Sequence, residues 1–269
     1  MQSDIEKLHD LMQKHKKILL ISGAGISTNS GIGDYRDKNG DWKRVQPVKH
    51  QGFMGSHQWR QRYWGRSQLG YPEFLRAQPN EGHHALARLE QQGRIFALIT
   101  QNVDRLHQKA GQQNVIDLHG RLDQVICTAC GKLESRDDIQ LWLEAHNPSL
   151  QAAEFVPAPD GDADLEAEFS QIQVPGCSAC DGILKPHVVF FGDSVPKPIV
   201  EQAYTWVEEA DLVLVIGSSL MVYSSFRFVR KAHELSIPIA AINNGVTRAD
   251  ELFDMKIIGD CSDILRQLF

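Results

Sequence analysis

An α/β fold, a doubly wound parallel sheet with helices on both faces and a smaller cysteine-bearing module, is predicted by three features of the 269-residue sequence. Short β-branched runs alternate with helical stretches. Small polar residues follow the runs. Two CxxC pairs bracket a segment in which this rhythm stops. Apolar runs without polar alternation suit strands covered on both faces, as in a parallel sheet.

Each element has its own local signal. Ser3 and Glu6 form a capping-box pattern, and Ile5, Leu8, Leu11 and Met12 recur at helical spacing, so an amphipathic helix opens the sequence. Strands are expected at 18–21 (ILLI), 95–99 (IFALI), 115–118 (VIDL), 212–216 (LVLVI) and 239–242 (IAAI). Between them HHALARLEQQ, closed by Gly93, and VDRLHQKA, closed by Gly111, read as helices. The stretch EFVPAPDGDADLEAE has no periodicity and is expected to be a solvated loop. These patterns divide the chain into a sheet domain (1–55, 81–120 and 185–269), an inserted module (121–184) and a helical insert (56–80).

In such sheets ligands gather at the carboxyl ends of the strands. GAGIS follows the first run, TQNVD the second, HG the third, GSS the fourth and NNG the fifth, so five turns are expected on one rim. Gly23 and Gly25 supply a tight turn and a close approach of backbone N–H groups to a pyrophosphate at a helix start; the third glycine position of that fingerprint is Thr28. Ser218 and Ser219 after Gly217 offer further donors, and Asn243 and Asn244 can bond ribose or adenine edges. A hydride carrier would call for a ribose-binding acid about 20 residues after the glycines. KRVQPV stands there instead. The run DYRDKNGDWKR, beginning Asp34, Tyr35, Arg36, reads as a loop that closes over a substrate.

Cys127 and Cys130, with Cys177 and Cys180, form CxxC pairs 46 residues apart, a spacing that supplies four thiolates to a tetrahedral Zn2+. Four thiolates leave no open coordination position, so the metal is structural. The fifth cysteine, Cys261, reads as a rim or core residue.

Composition excludes other classes. The formal net charge of −6 argues against salt-driven nucleic-acid binding. Residues 137–184 hold ten Asp and Glu and no Lys or Arg, so the acidity is local. No apolar run reaches the ~20 residues of a membrane span, and the first residues lack the apolar core of a signal peptide. A cytoplasmic protein with neither nucleic-acid nor membrane partners is expected.

GAGIS with its DYR tail, QNVDRLHQKAG, LHG, the two CxxC pairs, KPHVVFFGD and GSSLMVYS together closely resemble the sirtuin family of NAD-consuming protein deacylases, from about residue 17 onward. The resemblance implies a Rossmann-type NAD domain with a zinc module, NAD as co-substrate and acylated-lysine proteins or peptides as partners. It implies a nicotinamide pocket at Gln101, Asn102 and Asp104, and His119 as the base that takes a proton from a ribose hydroxyl. NAD contacts are further implied for Ala24, Ser27, Gly245 and Cys261, and acyl-lysine contacts for Val189, Phe190 and Val222. Monomers are usual for single-chain members. Protein mono-ADP-ribosyl transfer, using the same NAD cleavage, is the alternative activity. An NAD-dependent dehydrogenase is disfavoured by the missing ribose acid.

Within the family the chain most resembles the branch of mitochondrial ADP-ribosyltransferases, lipoamidases and removers of longer or acidic acyl groups. Gly33 stands where a proline is common in this motif. Tyr63 and Arg66 are spaced as the pair that holds the distal carboxylate of malonyl, succinyl or glutaryl lysine. The competing reading is a helix packed down by Trp59, Tyr63 and Trp64. His83, His84, His107 and His187 read as surface or structural.

Overall fold

The computed structural model describes residues 2–43, 48–152, 154–164 and 168–268. Along the chain the elements are α1 (Gln2–Lys14), β1 (Ile18–Ser22), α2 (His50–Gly55), α3 (His57–Arg76), α4 (Glu81–Gln91), β2 (Ile95–Thr100), α5 (Leu106–Lys109), β3 (Val115–Asp117) and β4 (Gly120–Cys127). Next come β5 (Leu133–Ser135), α6 (Arg136–His146), β6 (Val156–Ala158), β7 (Asp162–Asp164), β8 (Leu184–Val188), α7 (Lys197–Glu209), β9 (Leu212–Ile216), α8 (Tyr223–Glu234), β10 (Ile239–Ile242), β11 (Met255–Ile257) and α9 (Cys261–Leu268).

Two compact units result: 1–45 with 78–118 and 195–269, and 46–77 with 119–194. The first holds a six-stranded sheet of order β11-β10-β9-β1-β2-β3. Every pair in it is parallel. Alternate strand residues feed two cores. Ile18, Leu20, Leu98, Leu214 and Ile242 pack with Leu8, Leu86 and Leu265 from α1, α4 and α9. Leu19, Ile21, Ile99, Val213 and Val215 pack with Val207 and Phe228 from α7 and α8. This two-sided burial is why the strands read as unbroken apolar runs. The chain leaves β1 toward β2 and β3, then returns on its other side as β9, β10 and β11. The switch point between β1 and β9 is where such sheets form a binding crevice.

The second unit has a three-stranded antiparallel sheet of order β5-β4-β8, the hairpin β6–β7, and helices α2, α3 and α6. Its core joins Phe53, Tyr63 and Trp64 to Val125, Ile139, Leu143 and Leu184.

Several expectations change. Ser3 already lies within α1, so it is not the cap. The helix expected from Val103 begins only at Leu106, because Arg105 turns left-handed (φ 62°) and the Asp104 carboxylate accepts the Leu106 N–H. The unit boundaries depart from those drawn on composition: β8 pairs with β4, placing 185–194 in the second unit, and 46–55 joins it through the bridge between Lys49 and Phe191. Part of the acidic stretch expected as a solvated loop is the β6–β7 hairpin, with Pro159, Gly161 and Ala163 buried. It lies against α3 so closely that a Cβ on Gly70 would sit 2.2 Å from the Asp162 carbonyl oxygen. The end of that stretch, 165–167, and residues 44–47 of KRVQPV lie outside the described residues.

Candidate functional site

In the first unit, the glycines after β1 serve the sheet itself. Gly23 donates its N–H to the Ile216 carbonyl (3.1 Å), and Gly25 to the Gly217 carbonyl (2.8 Å). A Cβ on Gly25 would lie 2.8 Å from the Gly217 Cα and oxygen. These N–H groups are therefore spent on the exit of β9 rather than presented to a phosphate. The chain continues as a pair of three-residue 3-10 turns, Ala24–Ile26 and Thr28–Ser30, and not as an α-helix. The helix-dipole argument for pyrophosphate accordingly falls away here.

Side chains take over the task. Ser27 Oγ donates to Asp104 Oδ2 (2.7 Å), and Asn102 Nδ2 donates to Ser27 Oγ and to the Gly23 carbonyl (both 3.1 Å). Gln101 Nε2 donates to Ser218 Oγ (2.7 Å) and to the Ser22 carbonyl (3.1 Å), while its Oε1 accepts from Ser225 Oγ (2.8 Å). Residues from the ends of β1, β2 and β9 and from α8 thus form one polar cluster at the switch point. Burial pushes the Asp104 carboxyl up in pKa, against the pull of the Leu106 N–H and Ser27 hydroxyl.

Beneath the cluster runs a chain of bonds that sequence reading missed. Ser22 Oγ lies 2.8 Å from Thr100 Oγ1 and 2.9 Å from His107 Nε2, and Thr100 Oγ1 accepts the Asn102 N–H (3.1 Å). His107 Nδ1 meets Gln112 Oε1 at 2.6 Å. His83 packs on His107 with ring centroids 4.9 Å apart. Both rings are buried and held neutral, His83 near pKa 2 and His107 near 4, burial being the leading cause. The surface half of the expectation for them is corrected. The only trace in the sequence was a serine and a threonine closing two apolar strands.

Ser219 accepts the Arg248 N–H through its carbonyl (2.9 Å). Asn243 turns inward, its Nδ2 on the Gly245 carbonyl (3.0 Å), whereas Asn244 is exposed. Gly245 lies against Lys38, where a Cβ would come 2.7 Å from the carbonyl oxygen. Cys261 is buried, its thiol 3.6 Å from the Ile242 carbonyl and pushed up to about 12 by burial. Asp34 pairs with Lys43, and Arg36 lies 4.3 Å over the Trp42 ring and donates to the Gly40 carbonyl (2.6 Å). The Tyr35 ring meets Trp42 edge-on at 6.1 Å. This loop is tied to itself as a short antiparallel turn. Val222 immediately precedes α8.

In the second unit, His119 opens the segment 119–194. Its carbonyl accepts the Val189 N–H (2.8 Å), and the next residue, Gly120, has φ 82° with a Cβ position 2.1 Å from the His187 oxygen. The β4–β8 pairing therefore brings His119, Val189 and Phe190 to one place. Phe190 packs on Phe53 (5.3 Å) and Tyr63 (5.4 Å). Arg66, one turn along α3 from Tyr63, is directed elsewhere: Nε and Nη2 bond both Asp162 oxygens and Nη2 bonds Asp164, each at 2.8 Å.

Also in this unit, the four cysteine sulfurs lie within 4.8 Å of one another. Cys127 and Cys180 are 3.5 Å apart, and Cys130 and Cys177 3.7 Å. A tetrahedron with Zn–S of about 2.3 Å calls for sulfurs about 3.8 Å apart, so the set fits a structural zinc. The Cys130 N–H donates to Cys127 Sγ (3.4 Å), which draws that thiol's pKa down toward the thiolate, the form a metal binds.

Among the described residues no helix is long and apolar enough to cross a membrane. The Sir2 family pattern matches residues 23–224. An NAD-dependent protein deacetylase of Xanthomonas axonopodis pv. citri is 54% identical over 263 residues, covering 97% of this chain and 90% of that protein. The NAD-dependent protein deacylase Sirt4 of Drosophila melanogaster is 44% identical over 272 residues, covering 100% of this chain and 87% of that one. Among solved structures, Sir2 with a p53 peptide and NAD+ is similar with a TM-score of 0.79 at 29% identity, over 98% of this chain and 96% of that chain. A Sir2 structure with a propionylated peptide gives 0.78 at 29%, with the same coverage. With its parallel sheet, its four-cysteine cluster and these likenesses, the chain belongs to the Sir2 family.

Proposed function

We propose that this protein removes acyl groups from lysine side chains of proteins while consuming NAD, yielding nicotinamide, free lysine and an O-acyl-ADP-ribose. The observation that supports it most is the cluster of Gln101, Asn102, Asp104, Ser27 and Ser218 at the β1–β9 switch point, where a carboxamide finds amide and carboxylate partners. Asn102 and Asp104 orient the nicotinamide end. Gln101, Ser218 and the turn after β1 hold the rest, together with Ser219, Asn243, Asn244 and the Asp34–Arg36 loop. The acyl oxygen attacks the ribose carbon as nicotinamide leaves; the deprotonated ribose 2′-oxygen then attacks the resulting imidate carbon, and water enters as the lysine C–N bond breaks, releasing free lysine and the O-acyl-ADP-ribose. An imidazole, whose ordinary pKa is about 6.5, is suited to taking the proton of a ribose hydroxyl near neutral pH, and His119 fills that role. Val189 and Phe190 line the acyl-lysine beside it.

Neutral acyl chains suit this chain better than acidic ones. Arg66, the expected receptor of a distal carboxylate, is already committed to Asp162 and Asp164, which a substrate would have to displace.

The test is mass spectrometry of NAD with acetyl-, glutaryl- and lipoyl-lysine peptides, following nicotinamide, peptide mass and O-acyl-ADP-ribose together. Matched loss of acyl mass and gain of O-acyl-ADP-ribose, abolished in His119→Tyr, is expected. Nicotinamide release with an ADP-ribosylated peptide and no acyl loss would replace this reading by mono-ADP-ribosyl transfer.

A further inference from the structure

One surface of the first unit stands apart from the acidity of the chain. Tyr223 opens α8 and is 47% exposed. Three guanidiniums gather over its ring: Arg227 at 5.9 Å, Arg230 at 5.6 Å and Arg248 at 5.7 Å from the centroid. Arg248 also lies 4.7 Å from the Phe226 ring. Arg230 pairs with Glu234 at 3.3 Å. Among the described residues, Arg227 and Arg248 have no carboxylate at salt-bridge distance. Their polar bonds go to backbone oxygens: Arg227 Nε to Ser224 and Arg248 Nη1 to Met221.

Three like charges around one ring repel one another, and the ring's negative face offsets this only in part. A guanidinium over an aromatic ring keeps an N–H edge for a carboxylate. The patch therefore carries unspent capacity for anions in a chain of net charge −6.

Its position says which anion. The same first turn of α8 carries Ser225, whose hydroxyl bonds Gln101 Oε1 at 2.8 Å, and the Arg248 N–H bonds the Ser219 carbonyl. Segment 217–225 thus contributes to both, Ser218 and Ser225 to the polar cluster and Tyr223 to the patch. Bases of a single-stranded nucleic acid also stack on such a surface, but they need an extended basic track that this acidic chain lacks.

We propose that Tyr223, Arg227, Arg230 and Arg248 form a docking surface for acidic side chains flanking the acylated lysine of a substrate polypeptide. This rests on the deacylase reading above and deepens it: the sequence around the modified lysine, more than the acyl group, sets substrate choice.

The experiment uses two acyl-lysine peptides that differ only in carrying Glu or Gln on both sides of the lysine. The wild-type enzyme is expected to show a KM for the Glu peptide lower by roughly fivefold at low salt, with kcat alike, the gap closing as salt screens it. In Arg230→Glu/Arg248→Glu the gap vanishes or reverses. Arg230→Glu alone, whose side chain touches Tyr223 and Glu234, shows at least half the effect should the double variant fold poorly. Fluorescence anisotropy with the same peptides lacking the acyl group must give the same order without turnover. If no peptide loses its acyl group, the deacylase reading fails and the anisotropy still scores the surface. Equal KM and equal binding for the two peptides overturn the proposal. So does loss of single-stranded RNA binding in the variant while the peptide gap persists.

Discussion

Replacing Arg66 by Met separates two roles for this residue. Its guanidinium makes three bonds of 2.8 Å to Asp162 and Asp164, and the Arg66 and Asp162 side chains are only 10% and 20% exposed. Removing one partner of a buried pair costs about 3–5 kcal/mol, because the other charge is left uncompensated. Asp164, 38% exposed, is screened and adds little. Allowing for the residual exposure of Asp162, Arg66→Met is expected to destabilise the second unit by about 2–4 kcal/mol. Asp162→Asn in the same chain should recover about 1–3 kcal/mol of this, since the stranded carboxylate is gone. Urea unfolding of the four members of the cycle measures both numbers. Deacylation of acetyl and glutaryl peptides, assayed well below the unfolding midpoint, should fall in parallel. A variant within about 0.5 kcal/mol of wild type that loses glutaryl activity while keeping acetyl activity would refute the clamp and restore Arg66 as an acyl-carboxylate receptor.

Two further outcomes rest on the buried groups. His83 and His107 stay neutral in the fold, near pKa 2 and 4 against an ordinary 6.5, so below pH 6.5 the unfolded chain binds more protons than the folded one. The stability they leave intact above pH 6.5 is lost as pH falls toward 4, by about 5 kcal/mol for the pair near pH 4.5. His107→Gln should roughly halve that slope in urea melts between about pH 5 and 7; an unchanged slope would show that the pair does not titrate as buried. Chelation of zinc should unfold the second unit, and Cys177→Ser should abolish a stoichiometry of about one zinc per chain by atomic absorption. Retention of full metal and melting temperature in that variant would exclude the four-cysteine site.

Much of the first unit was legible because its signals are local. ILLI, LVLVI and IAAI are buried on both faces, so each reads as a strand without reference to its neighbours. The short edge strand β11 escaped notice: of Met255, Lys256 and Ile257 only Ile257 is fully buried. The polar residues at the strand ends were found, since a switch point gathers them whatever the loops do. Their partners were not. Ser225 reaches Gln101 across 124 positions of sequence, and Ser22 reaches His107 across 85, distances over which no periodicity carries.

By itself the sequence determined the parallel α/β class, the four-thiolate metal set and the family, because each depends on residue type at short spacing. Tertiary structure decided what those residues touch. It turned the Gly23 and Gly25 N–H groups toward the β9 exit, moved β8 into the second unit by pairing it with β4, and folded an acid-rich stretch into a hairpin that claims Arg66. The physical reason is common to all three: a hydrogen-bond donor or a charge accepts whichever partner packing brings within about 3 Å, and packing is settled by long-range burial rather than by the neighbours along the chain.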